Sequence, residues 1–166
     1  HGQLGDGTNA DRSSPVEVEV PGNSSAVSLD AGTMHTCLGV NDGSMFCWGY
    51  NAFGQLGNGG NSNSNTPMTA PLSLDQVLTT VQVGLFHSCA LFDSGQVACW
   101  GGNSNGQLGD GTQSGSGIPE IVSLGTNATS ISVGQRHSCA ILDDASLKCW
   151  GANEAGQLGD GTDSDR

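Results

Sequence analysis

Residues 99–111 read Cys-Trp-Gly-Gly-Asn-Ser-Asn-Gly-Gln-Leu-Gly-Asp-Gly, and residues 47–59 and 149–161 carry the same frame. Its recurrence decides the fold. Gly-Gln-Leu-Gly begins at Gly2, Gly54, Gly106 and Gly156, in steps of 52, 52 and 50 residues. Cys-Trp-Gly begins at Cys47, Cys99 and Cys149, and His-(Thr/Ser)-Cys at His35, His87 and His137, in steps of 52 and 50. Pro15, Pro67 and Pro119 are 52 apart, so the third unit loses its two residues between Pro119 and Ile131, as a loop does. Residues 1–12 and 155–166 match at 9 of 12 positions. The chain reads as a single repeat array with units 2–53, 54–105 and 106–155 and the start of another at 156–166.

Each unit reads as four short strands. The first lies at the proline: Val16–Val20 and Met68–Leu74 follow it, and Ile118–Leu124 includes it. The second carries Leu29, Val81 and Ile131, followed by Ala31, Val83 and Val133 at the spacing of two that places them on one face. The third runs from His35 to Val40, His87 to Phe92 and His137 to Leu142. The fourth is Met45–Gly49, Val97–Gly101 and Leu147–Gly151. Four strands in about 50 residues is the size of one propeller blade. A lone blade cannot bury both faces, so blades stack, with Trp48, Trp100, Trp150, Leu56, Leu108 and Leu158 filling the space between them. The predicted class is all-β: tandem four-stranded antiparallel blades in an open or partial array.

The run Cys-Trp-Gly-x-Asn-x-x-Gly-Gln-Leu-Gly-(Asp/Asn)-Gly resembles the repeat of the regulator-of-chromosome-condensation family, three times over. That resemblance implies seven-bladed propellers, which need roughly 350 residues at this blade size, and the chain has 166. The family's eukaryotic founding member is an exchange factor for a small GTPase and binds chromatin. The paired cysteines depart from it, and this Cys-rich variant resembles repeats of secreted or surface proteins of bacteria. A bacterial β-lactamase inhibitor protein is a propeller of similar build. The resemblance implies a fold more than a function.

Each unit holds a Cys pair ten residues apart: Cys37/Cys47, Cys89/Cys99 and Cys139/Cys149. Antiparallel pairing of Cys89 with Cys99 also pairs Leu91 with Val97 and leaves Asp93-Ser94-Gly95 as a three-residue turn with Gly in its left-handed position. Asn41-Asp42-Gly43 follows by the same rule, and so does Asp143-Asp144-Ala145, where Ala is a poor left-handed residue. Disulfides in this register close short loops worth roughly 2–3 kcal/mol each. Two alternatives stand beside them: free buried thiols, and zinc held by the His, the Cys two residues on and the facing Cys. Disulfides imply an oxidising compartment, hence an extracellular or cell-surface location.

Lys plus Arg is 4 and Asp plus Glu is 16, for a net charge of −12. Arg12, Arg136, Lys148 and Arg166 cannot make the basic footprint of a nucleic-acid binder. No apolar run reaches the length of a membrane span. The 27 glycines have no period of three, which excludes collagen. The chain opens at His1 inside the repeat, without a basic and apolar leader, and reads as a mature product, a fragment or part of something longer.

Other features read mainly as structure. A catalytic His is needed once, whereas His35, His87 and His137 recur. Asp6, Asp110 and Asp160, with Asn58 in the second unit, sit in tight Gly turns. Asp160, Asp163 and Asp165 alternate and form a weak calcium candidate, with no other cofactor expected. Glu17 and Glu19 share a strand face and read as a solvated edge. Asn23 and Asn127 begin glycosylation acceptor patterns. No nucleophile elbow or phosphate loop occurs. The leading expectation is a non-catalytic secreted scaffold or protein-binding module working through loops 9–15, 59–66, 102–105, 113–118 and 152–155. The alternative is a filament or surface-layer subunit built by self-association into a homo-oligomer. A small-GTPase exchange factor fragment ranks last.

Overall fold

Two of the four strand positions are hairpin arms, and they fold as the register requires. In the computed structural model, which describes residues 1–72 and 76–166, the arms are β2 (His35–Val40) with β3 (Met45–Gly49), β6 (His87–Phe92) with β7 (Val97–Gly101), and β10 (His137–Leu142) with β11 (Leu147–Gly151). Cys37 faces Cys47, Cys89 faces Cys99 and Cys139 faces Cys149. Their Cα atoms are 4.2, 4.1 and 4.0 Å apart, near the separation of a non-hydrogen-bonded pair, and each pair is a disulfide. The turn between the arms is closed by Gly95 N–H to Phe92 O at 2.9 Å, with Gly95 at φ 80°.

An inner strand pairs with each hairpin: β1 (Ala26–Ala31), β5 (Leu78–Val83) and β9 (Ala128–Val133). An outer strand, β4 (Ser64–Thr69) or β8 (Ser116–Ile121), completes the first two sheets, in the orders β1-β2-β3-β4 and β5-β6-β7-β8. The last sheet has three strands, β9-β10-β11, but Arg166 exchanges both backbone hydrogen bonds with Gly151 at 2.9 and 3.1 Å. Ser64 faces Gly49 and Ser116 faces Gly101 at the same place.

Each four-stranded sheet therefore takes three strands from one repeat unit and its outer strand from the next. The outer strands begin before the proline rather than after it. Pro67 and Pro119 sit where the register shifts, and a residue without N–H is tolerated at such a bulge on an edge strand. Part of the expected strand Met68–Leu74 lies outside the described residues. Val16–Val20 is not a strand. Its counterparts in the later units pair with the Cys-Trp-Gly strand of the preceding unit. The alternation still operates: Val18 and Val20 pack on Leu38, Val40, Phe46 and Trp48, while Glu17 and Glu19 face solvent.

The core lies between sheets. Cys37, Met45 and Cys47 of the first sheet meet Val81, Ala90, Phe92, Ala98 and Trp100 of the second, with Leu56 from the intervening loop. Cys89, Leu91, Val97 and Cys99 meet Ile131, Ala140, Leu142 and Trp150 in the same way, with Leu108 between. Alternate residues of one strand thus serve opposite interfaces, and all six residues of β6 are buried.

Candidate protein-interaction face

A repeated polar relay locks the sheets. Ser88 Oγ donates to the Gln55 carbonyl at 3.0 Å, and Trp100 Nε1 donates to the same oxygen at 2.9 Å. The Ser88 hydroxyl has one hydrogen, so at 2.7 Å it accepts from His35 Nε2, which assigns the protonated nitrogen. His87, Ser138, Gln107 and Trp150 repeat this with distances of 2.9, 3.1 and 2.9 Å. At the first sheet Thr36 and Trp48 donate to the Gln3 carbonyl at 3.0 and 2.9 Å. Burial pushes the imidazoles of His35 and His87 down to about 3, so both are neutral. No substrate reaches them, because both are fully buried.

Buried asparagines shape the loops. Asn51 Oδ1 accepts from Leu56 N–H at 2.9 Å, while its Nδ2 donates to Gly60 O and Ser62 O at 2.9 and 3.1 Å. Asn103 and Asn153 do the same for Leu108 and Leu158. These asparagines, with Gln55 and Gln107, recur in step with the tryptophans, but their spacing alone does not assign them this role. A Cβ on Gly57 would stand 2.8 Å from Trp100 Nε1, so this turn needs its glycine.

The acidic turns are internally satisfied. Asp160 Oδ1 accepts from Thr162 N–H and Oγ1 at 2.9 and 2.8 Å, and its Oδ2 pairs with Arg166 at 2.8 Å. Asp6 holds Thr8 and Arg12 identically. The Thr162 hydrogen bonds hold the Asp160 carboxyl below the usual carboxylate range. Asp165 accepts from Asn153 N–H and Asn105 Nδ2, both at 2.8 Å. Asp160, Asp163 and Asp165 are therefore not gathered on a cation: among the described residues no group of three His, Cys, Asp or Glu side chains is disposed to hold a metal. Zinc at His87, Cys89 and Cys99 is overtaken by the disulfide and by the bond from His87 to Ser138. Asn23 and Asn127 are exposed.

Against this regular frame one cluster breaks the repeat. Tyr50, Phe53 and Phe86 stand where the other units have Gly102 and Ala152, Asn105 and Ala155, and Met34 and Arg136. The rings of Phe53 and Phe86 have centroids 4.7 Å apart, Tyr50 lies 6.4 and 6.2 Å from them, and His1 lies 4.8 Å from Tyr50. Phe53 is 48% exposed. All three backbones are held: Tyr50 N–H by Met34 O at 2.9 Å, Phe53 N–H by Gln55 Oε1 at 3.0 Å, and Phe86 O by Gly102 N–H at 2.7 Å. The sequence signal was there, in the departures of positions 50, 53 and 86 from their repeat partners.

The model of the regulator of chromosome condensation (RCC1) repeat matches residues 1–38, 42–91 and 94–141. The chain belongs to this family. It is 34% identical over 122 residues, 74% of its length, to the ultraviolet-B receptor UVR8 of Arabidopsis thaliana, of which that stretch is 28%. It is 31% identical over 121 residues, 73% of its length, to the E3 ubiquitin-protein ligase HERC2 of Homo sapiens, of which that stretch is 2%. The chain thus spans under a third of either relative. Human WBSCR16 superposes with a TM-score of 0.84 at 26% identity over 98% of the chain and 44% of its own. Prp20p of Saccharomyces cerevisiae, solved with its binding properties to Gsp1p and histones, superposes at 0.75 with 21% identity over 82% of the chain and 36% of its own.

The chain is an RCC1-repeat array with disulfide-paired repeats. The named relatives are eukaryotic and lend no support to the reading as a bacterial secreted or surface variant. One expectation is corrected. The extracellular or cell-surface location is overturned by the matches to Prp20p, with its binding to Gsp1p and histones, and to yeast RCC1 bound to Kap60. The physical reason is that facing cysteines report strand register, which two hairpin arms share in any compartment. Among the described residues no helix is long and apolar enough to cross a membrane.

Proposed function

We propose that the chain binds a protein partner through the aromatic row Tyr50, Phe53 and Phe86, presented on loops whose backbones are held by Asn51, Gln55 and Gly102. One observation carries this: the row departs from an otherwise repeated frame, is partly exposed, and has no counterpart at the next sheet boundary. A cluster kept for folding resists replacement, whereas a cluster kept for binding does not. Phe53→Ser and Tyr50→Ser are expected to leave Tm within about 1 °C of the parent chain. A fall of several degrees for both would make the row structural and overturn the reading.

Among specific partners, a fragment of a small-GTPase exchange factor has more support than a secreted scaffold or a filament subunit. The observation favouring it is the shared fold with Prp20p, a protein that binds Gsp1p. Titration of Gsp1p loaded with a fluorescent nucleotide tests it. Binding, with or without faster nucleotide release, supports this reading. No binding removes it, and mass that rises with concentration in the chain alone would point to self-association instead.

A further inference from the structure

We infer that the aromatic row receives a cationic side chain, arginine or lysine, from a basic segment of the protein partner. This rests on the proposed role of the row as the interaction face. The centroids of Tyr50, Phe53 and Phe86 mark a triangle with sides of 6.4, 6.2 and 4.7 Å. One cation above that triangle stands within about 6 Å of all three centroids, the range over which a ring attracts it. The ring planes are inclined to one another by 60°, 50° and 45°, so they do not form the flat platform on which a sugar ring lies.

Charge points the same way. The chain carries −12, and among the described residues its ion pairs are Asp6–Arg12 and Asp160–Arg166, both within single turns. The remaining acidic excess draws a basic segment toward the surface, and the row supplies the place where one cation settles. Charge without the row gives loose association, and the row without the charge gives apolar stickiness. The two together select a basic segment.

The probe is a capped octapeptide of alternating glycine and arginine, with lysine and glutamine versions, titrated into the full chain and followed by the ring resonances of Tyr50, Phe53 and Phe86. The arginine and lysine peptides are expected to shift those resonances and the glutamine peptide to leave them in place. Phe53→Ser and Tyr50→Ser are expected to weaken binding about three- to thirtyfold, and Phe53→Tyr to retain it. Binding that the serine variants leave unchanged would mean charge alone and overturn the inference. Unmoved ring resonances, or equal binding of the glutamine peptide, would do the same. If either happens while the serine variants keep their Tm, the interaction-face reading stands and only the cationic partner is lost.

Discussion

The middle and last sheets present nearly the same hairpin sequence to different surroundings. His-Ser-Cys-Ala-Leu-Phe of β6 and His-Ser-Cys-Ala-Ile-Leu of β10 pair identically with their partner arms. Leu91 is 4% exposed and Val97 1%, whereas the equivalent Ile141 and Leu147 are 48% and 66% exposed. The Cys89–Cys99 bridge is buried, and Cys139–Cys149 is half-buried. Local pattern therefore sets which residues pair, and the neighbouring sheet sets what each residue is worth. Strand pairing needs two arms and a turn, while burial needs a second layer.

The sharpest way to break the comparison is a paired deletion. Leu91→Ala removes a side chain locked between two sheets and should cost about 2–5 kcal/mol. Ile141→Ala removes the same position where solvent already reaches it, and should cost under about 1 kcal/mol. Denaturant melts of the two variants check this, and equal losses would mean that the open face of the last sheet is covered in solution.

The same contrast orders the disulfides. Each bridge closes a short loop worth roughly 2–3 kcal/mol. Access differs, however, because a thiolate must reach the sulfur it attacks. Under a limiting reductant, Cys139 and Cys149 are expected to take up alkylating reagent first and Cys37 with Cys47 and Cys89 with Cys99 to follow. Mass mapping of labelled peptides reads the order. Simultaneous labelling of all three pairs would show that the sheets open together.

Acid probes the two buried relays. His35 and His87 have folded-state values lowered to about 3 from the ordinary 6.5, so the unfolded chain binds protons that the folded chain refuses. Their contribution is complete above about pH 6.5 and is lost as pH falls through 6.5 toward 3, at up to about 1.4 kcal/mol per pH unit for each. At pH 5 that is about 2 kcal/mol per histidine. Urea melts at pH 7 and pH 5 measure it. His87→Gln, which keeps a donor for Ser138, is expected to remove about half of the pH dependence.

How far the sequence alone reaches follows from the same division. The hairpin arms His35–Val40 with Met45–Gly49, and their two repeats, were legible to the residue, because cysteine spacing, turn residues and strand register are local. The outer strands begin earlier than expected, because Pro67 reads as a boundary although an edge bulge accepts it, as it accepts Pro119 inside the next outer strand. Val16–Val20 kept its alternation and lost its strand, because a strand needs a neighbour. Asn51, Gln55 and their equivalents were visible as repeats but not as buried organisers, since their partners lie in loops that only folding brings together. The aromatic row was hidden differently: it combines positions 50, 53 and 86, from two successive units.

The turns give the smallest test and the cleanest one. Gly43, Gly95 and Ala145 hold equivalent places with φ of 85°, 80° and 66°, so Ala145 carries a Cβ in the left-handed region that glycine occupies in the other two. It is exposed, and its turn is still closed by its N–H to Leu142 O at 3.0 Å. Strain at such a residue costs about 1–2 kcal/mol, and glycine returns part of the gain through its freer unfolded chain. Ala145→Gly should therefore stabilise by about 0.5–1 kcal/mol, raising Tm by about 1–4 °C. The reverse changes are not equivalent. A Cβ at Gly43 comes no closer than 3.6 Å to Gln76 O, whereas one at Gly95 would stand 2.4 Å from the Asn127 Cβ. Gly95→Ala must then lose more than Gly43→Ala, because it adds a steric clash to the same backbone strain. If the two losses are equal in thermal melts, turn conformation alone sets the cost, and the packing of the 93–95 turn on Asn127 contributes nothing.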